Sequence, residues 1–167
     1  MFVPASHVGA LVTLDSRLRK IIVGVDGSDH SIHALREAWR YSELLGASIE
    51  VVTAWQYPPA YGADMIGVLH PDEDAKAVLN KALAEVFPEG TPASLETTLS
   101  PGHPAHVILK AGRDAELIVV GCRGRGGFAG LLLGSVSSAV ATHAHGSVLV
   151  THLENHGGSV DSSERHL

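Results

Sequence analysis

With 167 residues, 45% apolar and 18% charged, the chain has the size and composition of one globular domain with a full core. A net charge of −6 argues against a nucleic-acid binder with its broad basic face, and leaves Arg123 and Arg125 as a local cation pair suited to one small anion. No stretch approaches the roughly 18 apolar residues of a membrane span, and the lone cysteine, Cys122, allows no internal disulfide and fits a reducing, cytoplasmic setting.

Residues 1–18 read as an N-terminal extension, because the cations Arg17, Arg19 and Lys20 follow its apolar stretch instead of preceding it as in a secretory leader. Residues 21–25 (Ile-Ile-Val-Gly-Val) form a short β-branched run, the pattern of a parallel strand covered on both faces. Asp26-Gly27-Ser28 is a turn with Ser28 as helix N-cap. The helix that follows carries Leu35, Ala38, Trp39, Ser42 and Leu45 on its inward side and stops at Gly46. Residues 49–55 are a second strand, and 57–71, with Pro58, Pro59, Gly62 and Gly67, a long loop.

Asp72 is expected to cap a second helix with the stripe Ala75, Val78, Leu79, Ala82 and Val86, ended by Pro88, Gly90 and Pro92. Residues 93–99 are a more polar strand, suited to a sheet edge. Pro104 opens a third helix at the position where its missing N–H costs nothing. Residues 117–120 are the most apolar strand, hence interior. Ser135 begins a fourth helix with Val136, Ala139 and Val140 inward, residues 147–150 are the last strand, and 153–167 read as a disordered tail. The domain proper is 19–152. Strands alternating with helices define an α/β fold, a Rossmann-like parallel sheet between two helical layers, with ligands beyond the carboxyl ends of the strands where strand order reverses.

Chemistry concentrates after the fourth strand, in Gly121-Cys122-Arg123-Gly124-Arg125-Gly126-Gly127 and in Gly134-Ser135. Glycines let backbone N–H groups turn toward an anion, and a helix N-terminus adds partial positive charge. A glycine-rich segment also serves as a plain linker, but a strand before it and a helix start after it favour an anion site. The segment is not a Walker loop, since no Lys-Ser or Lys-Thr follows the glycines, and Gly124-x-Gly126-x-x-Ala129 lacks the first-strand context of a dinucleotide fingerprint. A Cβ at Gly124 is expected to block a phosphate or to force a strained φ. Asp26 is either a turn aspartate bonding its own backbone or a ligand acid at the end of the first strand.

The spacing Gly121-x2-Gly124-x9-Gly134-Ser135 resembles the loop of the universal stress protein family, in its nucleotide-binding branch, and the resemblance runs from about Lys20 to His152. It implies a three-layer α/β/α sandwich of the adenine nucleotide alpha hydrolase-like kind, with a five-stranded parallel sheet in the order 3-2-1-4-5. It also implies a homodimer joined through residues 147–150, and binding of ATP, or of AMP or ADP, with Mg²⁺ or Mn²⁺. By the same resemblance Gly24, Val25 and Asp26 lie at the ligand, Ala54 contacts adenine through its backbone, and Gly121, Arg123, Gly124, Gly134, Ser135, Val136 and Ser137 hold ribose and phosphates. Asp26 is the candidate metal ligand. No water-activating base is evident in the loop, so hydrolysis or autophosphorylation is expected to be slow at most, and a regulatory switch is favoured over an enzyme or an empty scaffold. The turn His145-Gly146-Ser147 departs from the Pro-Cys-Pro-like turn of many relatives. His103 and His106 read as two solvated histidines, His143 and His145 flank the end of the last helix, where its dipole favours a cationic imidazole, and Cys122 reads as a small residue beside a strand or, through neighbouring Arg123, as a reactive thiol.

Overall fold

The computed structural model describes residues 19–57, 70–126 and 132–153. The extension at 1–18, most of the long loop, residues 127–131 and nearly all of the tail lie outside the described residues. Elements follow one another as β1 (Lys20–Gly24), α1 (Asp29–Leu45), β2 (Ser48–Trp55), α2 (Pro71–Val86), β3 (Leu95–Pro101), α3 (Pro104–Ala111), β4 (Leu117–Gly121), α4 (Ser135–His143) and β5 (Ser147–Thr151). All strand pairs are parallel and the sheet order is β3-β2-β1-β4-β5, the expected order.

Period-two alternation in the strands sorts the core into two layers. Ile21, Val23 and Val25 meet Leu35 and Ala38 of α1 and Leu79 and Ala82 of α2 on one face. Ile22, Val52, Ile118 and Val120 meet Ile108 of α3 and Val140 of α4 on the other. Both faces of β1 are closed, which is why its sequence is apolar without a break. Each of the large side chains with almost no exposure, such as Ile21, Leu35 and Ile118, contributes about 1.5–3 kcal/mol by burial.

Local chemistry sets the helix ends. The Ser28 hydroxyl accepts the Ser31 N–H at 3.3 Å, and Gly46, at φ 61°, donates its N–H to the Ser42 carbonyl. The α2 start differs from expectation: His70 precedes the helix and Pro71 occupies its first turn, so Asp72 lies inside with Glu73 and Asp74, where acids favour the dipole instead of capping. Leu45 also departs from its expected place. It continues the α1 stripe beyond Ser42, the last buried residue of that helix, and is 39% exposed. β3 begins two residues later than the sequence predicts and pairs only with β2, as an edge.

Lys20 Nζ stands 2.5 Å from Glu50 Oε2, and the Thr98 hydroxyl donates to Glu50 Oε1 at 2.6 Å. Burial pushes the Glu50 carboxyl up, but the hydrogen bonds from Lys20 and Thr98 outweigh it and hold the group below its ordinary value. This polar pin lies at the amino half of the sheet, away from the cleft.

Candidate functional site

The end of β1 is tied to the end of β2. Val25 N–H donates to the Val52 carbonyl at 2.9 Å, and the Thr53 hydroxyl donates to the Val25 carbonyl at 3.0 Å. These bonds deliver Asp26 to the carboxyl edge of the sheet. Its Oδ1 accepts the Ser28 N–H at 3.0 Å and the Ser28 hydroxyl at 2.6 Å. The Ser31 hydroxyl in turn accepts the N–H groups of Asp26 and Gly27, at 3.3 and 3.1 Å. Burial pushes the Asp26 carboxyl up, but the hydrogen bonds from Ser28, with help from Ser31 and the Arg125 N–H, outweigh it and hold the group below its ordinary range. Asp26 is therefore both the turn aspartate and an ionised acid at the strand end. The two readings of the sequence describe one residue.

β4 delivers the second wall. Cys122 donates its N–H to the Thr151 carbonyl at 2.8 Å, while its own carbonyl accepts the Gly134 N–H at 2.7 Å and the Ser137 hydroxyl at 2.9 Å. The start of α4 is thus pinned to the end of β4, so its first turn faces the crevice. Arg125 N–H reaches across to Asp26 Oδ2 at 3.1 Å and joins the glycine loop to the β1–α1 turn. Close approach explains two of the glycines. A Cβ at Gly121 would come 2.7 Å from the His30 backbone, and one at Gly124 would come 2.6 Å from Asp26 Oδ2. The strained φ expected at Gly124 is absent, since the positive φ values of the described glycines fall at Gly27, Gly46, Gly90 and Gly102. Gly124 is needed for proximity to Asp26 and not for backbone conformation.

Between the two walls lies a cleft of about 290 Å³, at the reversal of strand order between β1 and β4. Gly24, Val25, Asp26, Ala54, Gly121, Arg123, Gly124, Gly134, Ser135, Val136 and Ser137 all line it, so the residues that the family resemblance assigns to a ligand lie around one crevice. Arg125, read from the sequence with Arg123 as a cation pair for a small anion, lines it too, as does Gly126 of the same loop, whereas sequence reasoning left out Val52, Val120, Pro104 and Ile108, which line it with apolar groups, and Ser31, which adds a polar one. Among the described residues Asp26 is the one acid in the lining. The cleft has an apolar end suited to a flat ring and a polar end with an ionised acid, two arginines and a helix N-terminus.

Other candidates fall elsewhere. Cys122 is 3% exposed and outside the lining, with Sγ 3.4 Å from His30 Nδ1. Among the described residues no three His, Cys, Asp or Glu side chains gather to hold a metal, so the histidine pairs stay separate. Among the same residues no helix is long and apolar enough to cross a membrane.

A parallel sheet of this order with a glycine loop at its switch point defines a doubly wound, Rossmann-like α/β domain. Residues 17–152 match the model of the universal stress protein family, and the chain belongs to that family. A universal stress protein of Mycolicibacterium smegmatis is 34% identical over 145 residues, which cover 81% of this chain and 46% of that protein. The chain spans about half the length of the curated relatives it matches. Among solved structures, a universal stress protein in complex with cAMP superposes with TM-score 0.60 at 26% identity, covering 80% of this chain and 97% of the other. One from Archaeoglobus fulgidus in complex with dAMP gives TM-score 0.57 at 26% identity, covering 79% and 96%.

Proposed function

We propose that the chain binds ATP, or a related adenine nucleotide such as ADP or AMP, in the cleft between β1 and β4 and acts as a stress-response switch. One observation carries the reading: the strand-end acid, the glycine loop and the α4 N-terminus converge on a single cavity whose other end is apolar. The cAMP and dAMP complexes of related structures support the same ligand class. In this reading the base lies against Val52, Ala54 and Ile108, with Ala54 offering backbone contacts, while Gly24 and Val25 form the floor. Gly121, Arg123 and Gly124 take ribose and phosphate, and the first turn of α4, with Ser135, Val136 and Ser137, supplies N–H donors.

Among the described residues Asp26 Oδ2 accepts one hydrogen bond, which leaves a lone pair for Mg²⁺ or Mn²⁺ carried by the phosphates. Asp26 is already engaged by Ser28 and Arg125 and is held ionised, which suits a ligand acid better than a general base. The output is therefore a change of conformation or partner, with turnover slow or absent. The protein works as a homodimer joined along β5, in the cytoplasm, where a reducing setting suits its buried free thiol. Mass spectrometry of ligand released from the heat-denatured protein, followed by calorimetric titration, tests the reading. Recovery of an adenine nucleotide that rebinds supports it, and a protein that neither carries nor binds one refutes it.

A further inference from the structure

The strand-end acid is followed by a glycine that the fold requires. Gly27 has φ 80°, and a Cβ there would come 2.7 Å from Val78 Cγ1 and 2.9 Å from Arg125 Nη2. An Asp-Gly pair is chemically unstable in an open chain, because no Cβ obstructs the glycine nitrogen as it attacks the aspartate Cγ. The new C–N bond closes a succinimide ring, and one carboxyl oxygen leaves as water with the amide proton and one proton from solvent. Water then reopens the ring. Addition at Cγ restores aspartate, whereas addition at the main-chain carbonyl carbon gives isoaspartate, whose backbone runs through the side-chain methylene. Water leaves and water re-enters, so the sum is an isomerisation that needs no other reactant.

Attack requires Cγ to swing onto the Gly27 nitrogen and that nitrogen to give up its proton. Five hydrogen bonds oppose this: the Ser28 N–H and hydroxyl fix Oδ1, the Arg125 N–H fixes Oδ2, and the Asp26 and Gly27 N–H groups both end on Ser31 Oγ, at 3.3 and 3.1 Å. Ser31 is 4% exposed, and its hydroxyl proton goes to the Ser28 carbonyl at 2.9 Å, which leaves its oxygen lone pairs for the two N–H groups. Only the bond from Gly27 acts on the nucleophile itself.

We propose that Asp26–Gly27 is a self-modification site, a succinimide-forming pair whose isomerisation disarms the cleft, and that Ser31 is the positioning residue that keeps it closed. Isoaspartate adds a methylene to the main chain between β1 and the turn, and it moves the carboxylate off the Ser28 and Arg125 donors that now orient it. The rate of isomerisation is read on the protein alone and does not depend on the adenine-nucleotide reading of the cleft.

Peptide mapping that separates isoaspartate from aspartate at position 26, after prolonged incubation at neutral pH and below each melting temperature, tests the proposal. Native wild type is expected to isomerise about a hundredfold more slowly than the chain in denaturant, and Ser31→Ala about tenfold faster than native wild type, the effect of losing two neutral hydrogen bonds. Ser31→Thr keeps the acceptor and should stay near the wild-type rate. So should Ile32→Val, which loosens the same helix by one buried methyl group and leaves the bonds in place. A native wild type as fast as the denatured chain overturns the proposal. A folded Ser31→Ala at the wild-type rate, or an Ile32→Val as fast as Ser31→Ala, overturns the role of Ser31. If Ser31→Ala does not fold, Ser31→Cys replaces it, with a weaker acceptor in a similar volume, and no acceleration there has the same force. Calorimetric titration of the purified isoaspartyl fraction with ATP and Mg²⁺ reads the disarming. Binding equal to that of intact protein overturns it, whereas an intact protein that binds no ATP refutes the nucleotide reading and leaves the isomerisation rates as they are.

Discussion

Gly124→Ala adds one methyl group where the glycine loop meets the strand-end acid. Its Cβ would lie 2.6 Å from Asp26 Oδ2, and the oxygen must withdraw by about 0.8 Å to reach the 3.4 Å at which ordinary contact begins. Asp26 is poorly placed to withdraw, because Oδ1 is fixed by the Ser28 N–H and hydroxyl while Oδ2 accepts the Arg125 N–H at 3.1 Å. A retreat of that size stretches the Arg125 bond beyond useful length. Folding loses that one bond, at an exposed position and with no φ strain, so about 1 kcal/mol is the expected cost, or roughly 2–4 °C in Tm for a chain of this size. Binding loses more, since the acid is displaced and the loop that should approach the phosphates is pushed off the β1–α1 turn. Together these are worth about 2 kcal/mol, or roughly thirtyfold in ATP affinity. Titration with ATP beside a thermal melt reads both quantities. A variant that melts within these few degrees and binds ATP as wild type does would refute the placing of the phosphates at this loop.

Asp26→Ala is expected to weaken ATP binding by about tenfold or more in Mg²⁺ or Mn²⁺ and by less in chelator; equal losses in the two titrations would remove the metal role and leave a hydroxyl acceptor. Stability should decline in acid. Asp26 and Glu50 are both held below their ordinary values of 3.8 and 4.5, so their contribution is complete above those values and is lost as pH falls through the depressed native ones. Tm should therefore drop more steeply below about pH 4.5 in wild type than in a Glu50→Gln variant, and parallel curves for the two would show that the Lys20–Glu50–Thr98 pin does not govern the acid limb.

What the sequence makes legible is what local physics decides. β1 and β4 are readable because both faces of each are buried, which leaves unbroken β-branched runs. Ser28 and Gly46 are readable because capping is a short-range contest between side chain and backbone. The cleft follows from these, since a parallel sheet has one switch point and both signal-bearing turns leave the strands that flank it. Contacts between distant segments are not legible. Pro104 and Ile108 line the cleft because α3 packs on the sheet face and lays Ile108 beside Gly24 at the end of β1, whereas their spacing announces only a buried face. Glu50 sits inside an apolar strand, and nothing near it in sequence reveals that Lys20 pairs its charge and Thr98 donates a hydrogen bond to it from the two neighbouring strands. The reason for Gly124 was equally hidden, because composition names a glycine but does not say whether a dihedral or a neighbour requires it.

The last strand poses a question of edges. β5 pairs with β4 alone, and its residues 148–150 are consecutive apolar side chains. The Thr151 carbonyl accepts from Cys122, so Ser147, Leu149 and Thr151 point their backbone groups at β4 while Val148 and Val150 point theirs outward. That outward row is a template for a second copy of the chain, with no charged side chain among residues 147–150 to discourage pairing. Leu149 is a poor place to test the idea, because it packs against the α1 face of the core and a charge there would disturb folding. Val148→Pro is better. It removes an outward N–H, leaves the bonds to β4 in place, and puts proline where edge strands accept it. Wild type is expected to sediment as a dimer at micromolar concentration, held by main-chain pairing across a two-fold axis, and Val148→Pro as a folded monomer with Tm lowered by only a few degrees. A monomeric wild type, or a proline variant that stays dimeric, would place any association elsewhere on the molecule.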